Sequence, residues 1–494
     1  MTEKAKEKSK KKRSISSFTI LLIILIVLAL VTVVMSLAGV QGVEGATIAN
    51  VATAPVKGFT DALPVCLFVL ILGGFLGIVT ETGALDAGIA ALVKKLKGNE
   101  LILIPILMFI FSIGGTTYGM CEETVPFYLL LAATMVAAGF DSVVGAAVVL
   151  LGAGCGVLGS TVNPFAVGAA VDALTGVGIE VNQTIIIGLG LVLWAVTTLI
   201  SIAFVMNYAK KVKADKGSTI LSMQELKDAE EAHGAAAAEV TKDVKLTGRQ
   251  KAVLGIFTFT FAVMIVGFIP LADLNAGVAG FFDNGVYDAE GNVITQAWSA
   301  VITGLPIGQW YFDEASTWFF VMAIVIGIVG GLSEKKIVDT FITGAADMMS
   351  VVLIIALARG ISVLMAATGL DVYVLDAAAN ALAGLSGVIF APMSFLVYFG
   401  LSFLIPSTSG MATVSMPIMG PLAAELGFAP EVMVMIFSAA IGVVNLFTPT
   451  SGAIMGGLAL AKVEWTTWLK FALKLIVVLT IVCAVILTIA CVMI

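Results

Sequence analysis

The amino-acid sequence predicts an all-α polytopic membrane protein, and three observations lead there. Of its 494 residues, 60% are hydrophobic and only 12% are charged, against about 25% charged in soluble domains. Apolar stretches of about 20 residues recur along the chain, each able to span the hydrocarbon core of a bilayer. Lys and Arg come in clusters separated by long stretches that hold neither: none lies between Gly98 and Ala209, and none between Ala252 and Glu334. The clusters are the N-terminal "KAKEKSKKKR", Lys94 with Lys95 and Lys97, Lys210 with Lys211 and Lys213, Arg249 with Lys251, and Lys335 with Lys336. The positive-inside rule puts these in the cytoplasm. The N-terminus is then inside, and the acidic stretch 271–316 is outside.

The elements follow in order. Residues 1–17 form a basic cytoplasmic N-terminus. The apolar run 18–38 lacks a small-residue cleavage site and reads as a membrane helix, not a signal peptide. Nine full crossings satisfy the charges, at about 18–38, 61–80, 142–175, 184–208, 252–270, 317–332, 348–367, 431–459 and 468–494. Two further apolar segments, 101–138 and 389–428, have polar, glycine-rich middles and must return to the side they enter. They read as re-entrant hairpins, the first opening to the cytoplasm and the second to the outside. A first unit thus covers 18–208. Residues 209–251, charged, Ala-rich and carrying the lone histidine, His233, form a solvated cytoplasmic connector. Residues 252–316 add an extra helix and an external loop, and a second unit covers 317–494. Glu81 and Asp86, in "TETGALD", read as a helix end near the cytoplasmic face. The five cysteines all lie in apolar stretches, odd in number and without metal-binding spacing, so they imply no disulfide framework.

Internal repeats decide the architecture. "GFTDA" (58–62) faces "GAADM" (344–348), and the same offset carries Gly74 onto Gly360 and Thr82-Gly83 onto Thr368-Gly369. "TTYGM" (116–120) faces "STSGM" (407–411), with Pro126 on Pro417. "STVNPF" (160–165) faces "NLFTPT" (445–450), with Pro164 opposite Pro449. The units begin on opposite sides of the membrane, which makes this an inverted repeat. Paired, interrupted helices in such a repeat point to a secondary transporter with its site near the midplane. A helix broken at Asn163-Pro164 leaves unpaired carbonyls and half-helix ends, tolerated at membrane depth only where buried in protein or lining a watery cavity.

The stretches "GGTTYGMCEET" (114–124), "GAGCGVLGSTVNPFA" (152–166), "PSTSGMATVSMPIMGPLA" (406–423) and "TPTSGAIMGG" (448–457) resemble the YfcC branch of the C4-dicarboxylate anaerobic carrier (DcuC-like) family, within the ion transporter superfamily. The resemblance covers nearly the whole chain. It implies an inverted repeat with two hairpins and two unwound helices, forming a transport domain that moves against a dimeric scaffold by an elevator mechanism in the bacterial inner membrane. Members are described as carriers of basic amino acids, including arginine–ornithine exchange, or by the older dicarboxylate label. Relatives hold Na⁺ with Ser/Asn/Thr motifs at the hairpin tips. The matching positions here are Thr116, Thr117, Ser407, Thr408 and Ser409, and the Ser-Asn-Thr triplet itself is absent.

The candidate substrate-binding residues are accordingly Thr116, Thr117, Tyr118, Gly119, Glu122 and Glu123 from the first tip, Asn163 and Pro164 from the first break, and Arg359. From the second unit come Ser407, Thr408, Ser409 and Gly410, with Asn445, Thr448, Thr450 and Ser451. Thr117, Ser160, Asn163, Thr408, Asn445 and Thr448 are candidate Na⁺ ligands, since a hard cation takes oxygen donors. Each hydroxyl could instead cap or back-bond within its own helix. Carboxylates at membrane depth are costly and usually functional, so Glu122 and Glu123 are substrate contacts, unless they only complement a helix dipole. Arg359 either pairs with one of them or binds a substrate carboxylate. An intramembrane enzyme lacks its residues, because the one histidine is in the connector and "TGLD" (368–371) lacks the second glycine of a GxGD site. No nucleic-acid partner or bound cofactor is expected beyond a coupling ion. The reading is a carrier of small charged metabolites, basic amino acids first and C4-dicarboxylates second, with a channel as the rival class.

Overall fold

Three helices open the chain of the computed structural model, which describes residues 17–494 apart from 86, 89, 90, 92–98, 241–245, 270, 275, 288–292 and 406. The basic N-terminal run, the Lys94–Lys97 cluster, Asp86 and Pro406 lie outside the described residues. Helix α1 (Ser17–Leu37) is apolar throughout. Helix α2 (Ile48–Asp61) is not among the crossings read from the sequence. Thr47 caps it, its hydroxyl accepting the Asn50 N–H at 3.0 Å. One residue, Ala62, separates it from α3 (Leu63–Glu81), which Pro64 opens in the first turn, where a missing N–H costs nothing.

The first hairpin is α4 (Leu103–Tyr118) and α5 (Val125–Ala137). Helix α6 (Ser142–Leu158) starts from Asp141, whose Oδ1 accepts the Val144 N–H at 3.0 Å. It breaks over 159–163, passes through a π turn (Pro164–Gly168) and resumes as α7 (Ala169–Thr175). Helix α8 (Gln183–Ala214) ends the first unit, and the connector contributes α9 (Met223–Val240) before α10 (Gly248–Phe268). The region read as external holds α11 (Leu271–Leu274), α12 (Ala276–Phe282) and an antiparallel pair, β1 (Val286–Tyr287) with β2 (Val293–Thr295). That small pair is the one departure from an all-helical chain among the described residues.

The second half holds α13 (Phe312–Gly330), α14 (Glu334–Asp347), α15 (Met349–Thr368) and α16 (Leu370–Leu382), then α17 (Gly387–Leu404) and α18 (Thr408–Glu425), the two arms of the second predicted hairpin. Helix α19 (Pro430–Val444) breaks and resumes as α20 (Gly452–Leu460), and α21 (Trp465–Met493) closes the chain. Helices α6 and α19 are hydrophobic all round and buried over almost their whole length, as expected for helices at the centre of a large bundle. Among the described residues nine helices are long and apolar enough to cross a membrane, which makes this a multi-pass membrane protein. They include the first arm of each hairpin, Glu100–Tyr118 and Gly387–Leu404, but not α6, α7 or α19, whose apolar runs the breaks divide.

The two units pack crosswise. Helix α2 lies on α15 while α14 lies on α3, and α5 lies on α20 while α18 lies on α7. Helices α6 and α19 pack on one another. Glycines make the first of these crossings possible. A Cβ on Gly58 would sit 2.3 Å from the Ala356 carbonyl and 2.4 Å from Gly360 N, and a Cβ on Gly344 would sit 2.4 Å from the Gly73 carbonyl. Backbone therefore meets backbone at the glycines that the sequence repeat aligns. Cys66 Sγ lies 4.0 Å from the Val352 carbonyl, a pair separated by 286 residues, which is the repeat offset itself.

The predicted cytoplasmic ends converge. Lys336 Nζ pairs with Glu81 at 3.1 Å, Gln250 Nε2 donates to the Gly83 carbonyl at 3.1 Å, and Lys213 pairs with Glu100. The expected solvated connector is corrected in part, because α9 packs on α5. Glu225, 3% exposed, accepts from Glu464 N at 2.9 Å and from Thr467 Oγ1 at 3.1 Å, and His233 is 1% exposed. Residues 225, 229 and 233 recur at four-residue steps on one face. Their polar members hid that face from a reading by hydrophobicity.

Candidate functional site

The first hairpin tip and the first helix break are joined by threonine chemistry. Thr116 Oγ1 donates to the Gly159 carbonyl at 2.6 Å, and the Thr116 carbonyl accepts the Thr161 N–H at 2.8 Å. The chain then turns at Gly119, whose φ of +78° is the left-handed region and whose Cβ, if present, would lie 2.5 Å from Asn163 Oδ1. Asn163 in turn orders the break: Oδ1 accepts the Phe165 N–H at 2.9 Å and the Ala166 N–H at 3.4 Å, while Nδ2 donates to Ser160 Oγ at 2.9 Å. Pro164 follows at the first position of the π turn, where it sacrifices no hydrogen bond.

Tips and breaks enclose a cavity of about 300 Å³, within the range of small-ligand sites. Gly119, Glu122, Glu123, Asn163, Arg359, Ser407, Thr408, Ser409, Asn445, Thr450 and Ser451 line it. Thr116, Thr117, Tyr118, Pro164, Gly410 and Thr448 stand behind this wall, for identifiable reasons. Thr116 is spent on the break. Thr117 back-bonds to the Ile113 carbonyl at 2.7 Å, and Tyr118 is fully buried, stacked on Phe268 at 5.4 Å. Gly410 N is capped by Ser407 Oγ at 3.1 Å, and Thr448 Oγ1 bonds Thr450 Oγ1 at 2.7 Å. The Na⁺ donor set thins for the same reason. Ser160 Oγ already donates to the Val157 carbonyl at 2.6 Å and accepts from Asn163. Of the six positions, Thr408 and Asn445 face the cavity without a side-chain partner of their own, Asn445 Oδ1 being buried and unpaired.

The charges are unevenly matched. Glu122 and Glu123 occupy a 3₁₀ turn at the tip; Glu123 is 1% exposed, and its Oε2 accepts the Cys121 N–H at 3.0 Å. Arg359 is neither free nor bonded to them: its Nε lies 2.6 Å from Asp61 Oδ2. Asp61, at the end of α2, also lines the cavity and was missed in the sequence. Its signal was there, since it is the acidic residue of "GFTDA", aligned with Asp347 of "GAADM". Among the described lining residues, three carboxylates thus face one guanidinium.

A cavity that gathers three carboxylates and one guanidinium between broken helices of an apolar bundle is what a membrane carrier presents. The chain belongs to the C4-dicarboxylate anaerobic carrier family, which matches residues 19–492. It is 31% identical over 432 residues to an uncharacterized protein of Haemophilus influenzae, covering 87% of this chain and 75% of that one. It is 30% identical over 440 residues to YfcC of Escherichia coli, provisionally named a basic amino acid antiporter, covering 85% of this chain and 77% of that one. Among solved structures, it is similar to the YdaH transporter of Alcanivorax borkumensis, with a TM-score of 0.47 and 14% identity over 96% of this chain and 98% of that one.

Proposed function

We propose that the protein is a secondary exchanger of basic amino acids of the arginine and ornithine class. The carrying observation is the charge of the cavity: Asp61 occupies Arg359, and Glu122 and Glu123 are left to meet a cation. An ammonium or guanidinium group fits there, while the α-carboxylate fits the first turn of α18 at Ser407–Ser409, since helix N-termini bind anions without Lys or Arg. A dicarboxylate would need surplus positive charge, and burying an unpaired charge is very costly. The name of the Escherichia coli relative agrees with this reading. Thermal stabilisation of the purified protein tests it, because a ligand that binds the native state raises apparent stability. Arginine or ornithine should stabilise and succinate or fumarate should not; the reverse order returns the protein to dicarboxylate transport. Na⁺, varied separately in the same assay, stabilises only if it is a coupling ion.

The transport cycle we infer is an elevator built on an inverted repeat, with both hairpins re-entrant, the N-terminus in the cytoplasm and two copies sharing a scaffold. The crosswise packing of α2 with α15 and α3 with α14, and of α5 with α20 and α18 with α7, supports two units related by a pseudo-two-fold axis. Saturable counterflow in proteoliposomes separates this exchanger from a channel, which shows none.

A further inference from the structure

The same cavity holds a charge problem that the substrate solves only while it is bound. Glu122 and Glu123 are adjacent, and Glu123 is 1% exposed, its carboxylate held only by backbone N–H groups, that of Cys121 at 3.0 Å from Oε2 and its own. The one guanidinium on the wall, Arg359, is held by Asp61 at 2.6 Å and reaches Glu122 only through its field, which leaves Glu123 without a counter-charge. The other titratable groups around the pair are Cys66 on α3, Tyr118 on α4, Cys121 at the tip and Tyr128 on α5, all neutral in their ordinary state. From α6, α18 and α20 the lining residues are Leu150, Ala153, Gly154, Val157, Thr408, Ser409, Gly452, Ala453 and Ile454, none of them charged. Two like charges this close, one of them buried, do not both persist without a counter-charge for the buried one.

We infer that the Glu122–Glu123 pair holds a proton when the cavity is empty and releases it when the cationic end of a basic substrate enters. The proposal rests on the cation-binding reading above and adds the coupling to it. The balance is simple: one carboxyl O–H bond breaks, its proton leaves through the cavity to water, and the carboxylate so formed pairs with the incoming ammonium or guanidinium. Total site charge stays the same in the empty and loaded states. Proton and substrate then take turns at one site, so a carrier that moves only when one or the other compensates Glu123 exchanges one for the other. Glu123, the deeper of the two, is the residue assigned to carry the proton.

Arginine is titrated into the purified, weakly buffered carrier while a pH indicator counts protons, and the apparent Kd is measured at several pH values. The expected result is release of up to one proton per arginine bound, with Kd falling about tenfold per pH unit as pH rises and then levelling off, the slope for one competing proton. Glu123→Gln should abolish the release and flatten the slope, whereas Glu122→Gln, which removes the neighbouring charge and one cation contact, should weaken arginine binding and shrink the release without abolishing it. The wild-type measurement stands even if a variant fails to fold. Arginine binding with no proton release and a pH-independent Kd overturns the proposal, as does release that survives Glu123→Gln. Failure of arginine to bind at any pH instead overturns the cationic-substrate reading, so the two failures are distinguishable.

Discussion

Gly119 is a residue whose lack of a side chain builds the site. Its left-handed φ alone makes a Cβ cost about 1–2 kcal/mol, and the substituent would also enter the space of Asn163 Oδ1 at 2.5 Å. Gly119→Ala should therefore lower the melting temperature and weaken substrate binding at least tenfold, checked by thermal unfolding and titration; a variant of normal affinity shows that tip and break are not coupled. The Asp61–Arg359 pair makes a prediction of sign. Asp61 is 54% exposed and Arg359 29%, so the ion pair adds only about 0–1 kcal/mol to stability. Its effect on ligands is larger. Asp61→Asn frees a positive charge beside the glutamates and should weaken a cationic substrate about five- to tenfold, and adding Arg359→Gln should restore affinity. For an anionic substrate both signs reverse. Asn163, Glu122 and Glu123 were legible in the sequence because polar residues stand out in apolar runs. Thr117 and Thr448 stood out equally, and only hydrogen bonds to their own neighbourhood separate them from the wall. Asp61 was hidden because it is the last residue of a short helix, where an acidic residue looks like ordinary solvation.

At the scale of elements, interrupted helices were readable and docked amphipathic ones were not. Proline beside Gly, Ser and Thr inside an apolar run marks a break by elementary sterics, and both α6–α7 and α19–α20 carry that mark. Helices α2 and α14 mix Lys, Asp and Thr with apolar residues over 14 residues each, too short and polar to register as crossings. Helix α9 was the largest surprise, since it packs its lone histidine inward. Burial first, and the Lys462 charge next, hold the His233 imidazole below the usual histidine range; the Ala461 carbonyl pulls the other way, without a hydrogen bond to either ring nitrogen. A folded pKa below the unfolded value of about 6.5 means that the docked state is fully stable above that pH and loses stability as pH falls through it. Acidification from pH about 7 to about 5 should therefore raise amide exchange across 223–240, beyond the intrinsic change, and His233→Leu should remove the dependence. Equal protection at both pH values would show that the histidine plays no part in docking.

The whole molecule carries predictions about sidedness and copy number. Val301 and Asp215 are both exposed, and the charge pattern puts them on opposite sides. In a cysteine-free background, Val301→Cys should react with an impermeant reagent on intact cells and Asp215→Cys only after permeabilisation. The reverse labelling would invert the orientation. Mass measurement in mild detergent should show two copies, and a transport-active monomer would contradict the shared scaffold. At this scale the glycine and proline spacing points to a repeat order, which the proposed pseudo-two-fold axis would explain. The crossed partnering of the two units was not legible, since sequence alone does not tell whether a unit packs on itself or on its mate.

The glycine seam that joins α2 to α15 and α14 to α3 has a consequence for synthesis. The chain emerges from its N-terminus, so α2 and α3 enter the bilayer while their partners are still untranslated. The aligned pairs are 286 residues apart, which at roughly 5–20 residues per second is a delay of roughly 15–60 s. For that interval the smooth faces around Gly58 and Gly74 have only lipid against them. The seam that lets two backbones touch thus cannot close until α14 and α15 have been made, and the newborn first half depends on its second half arriving.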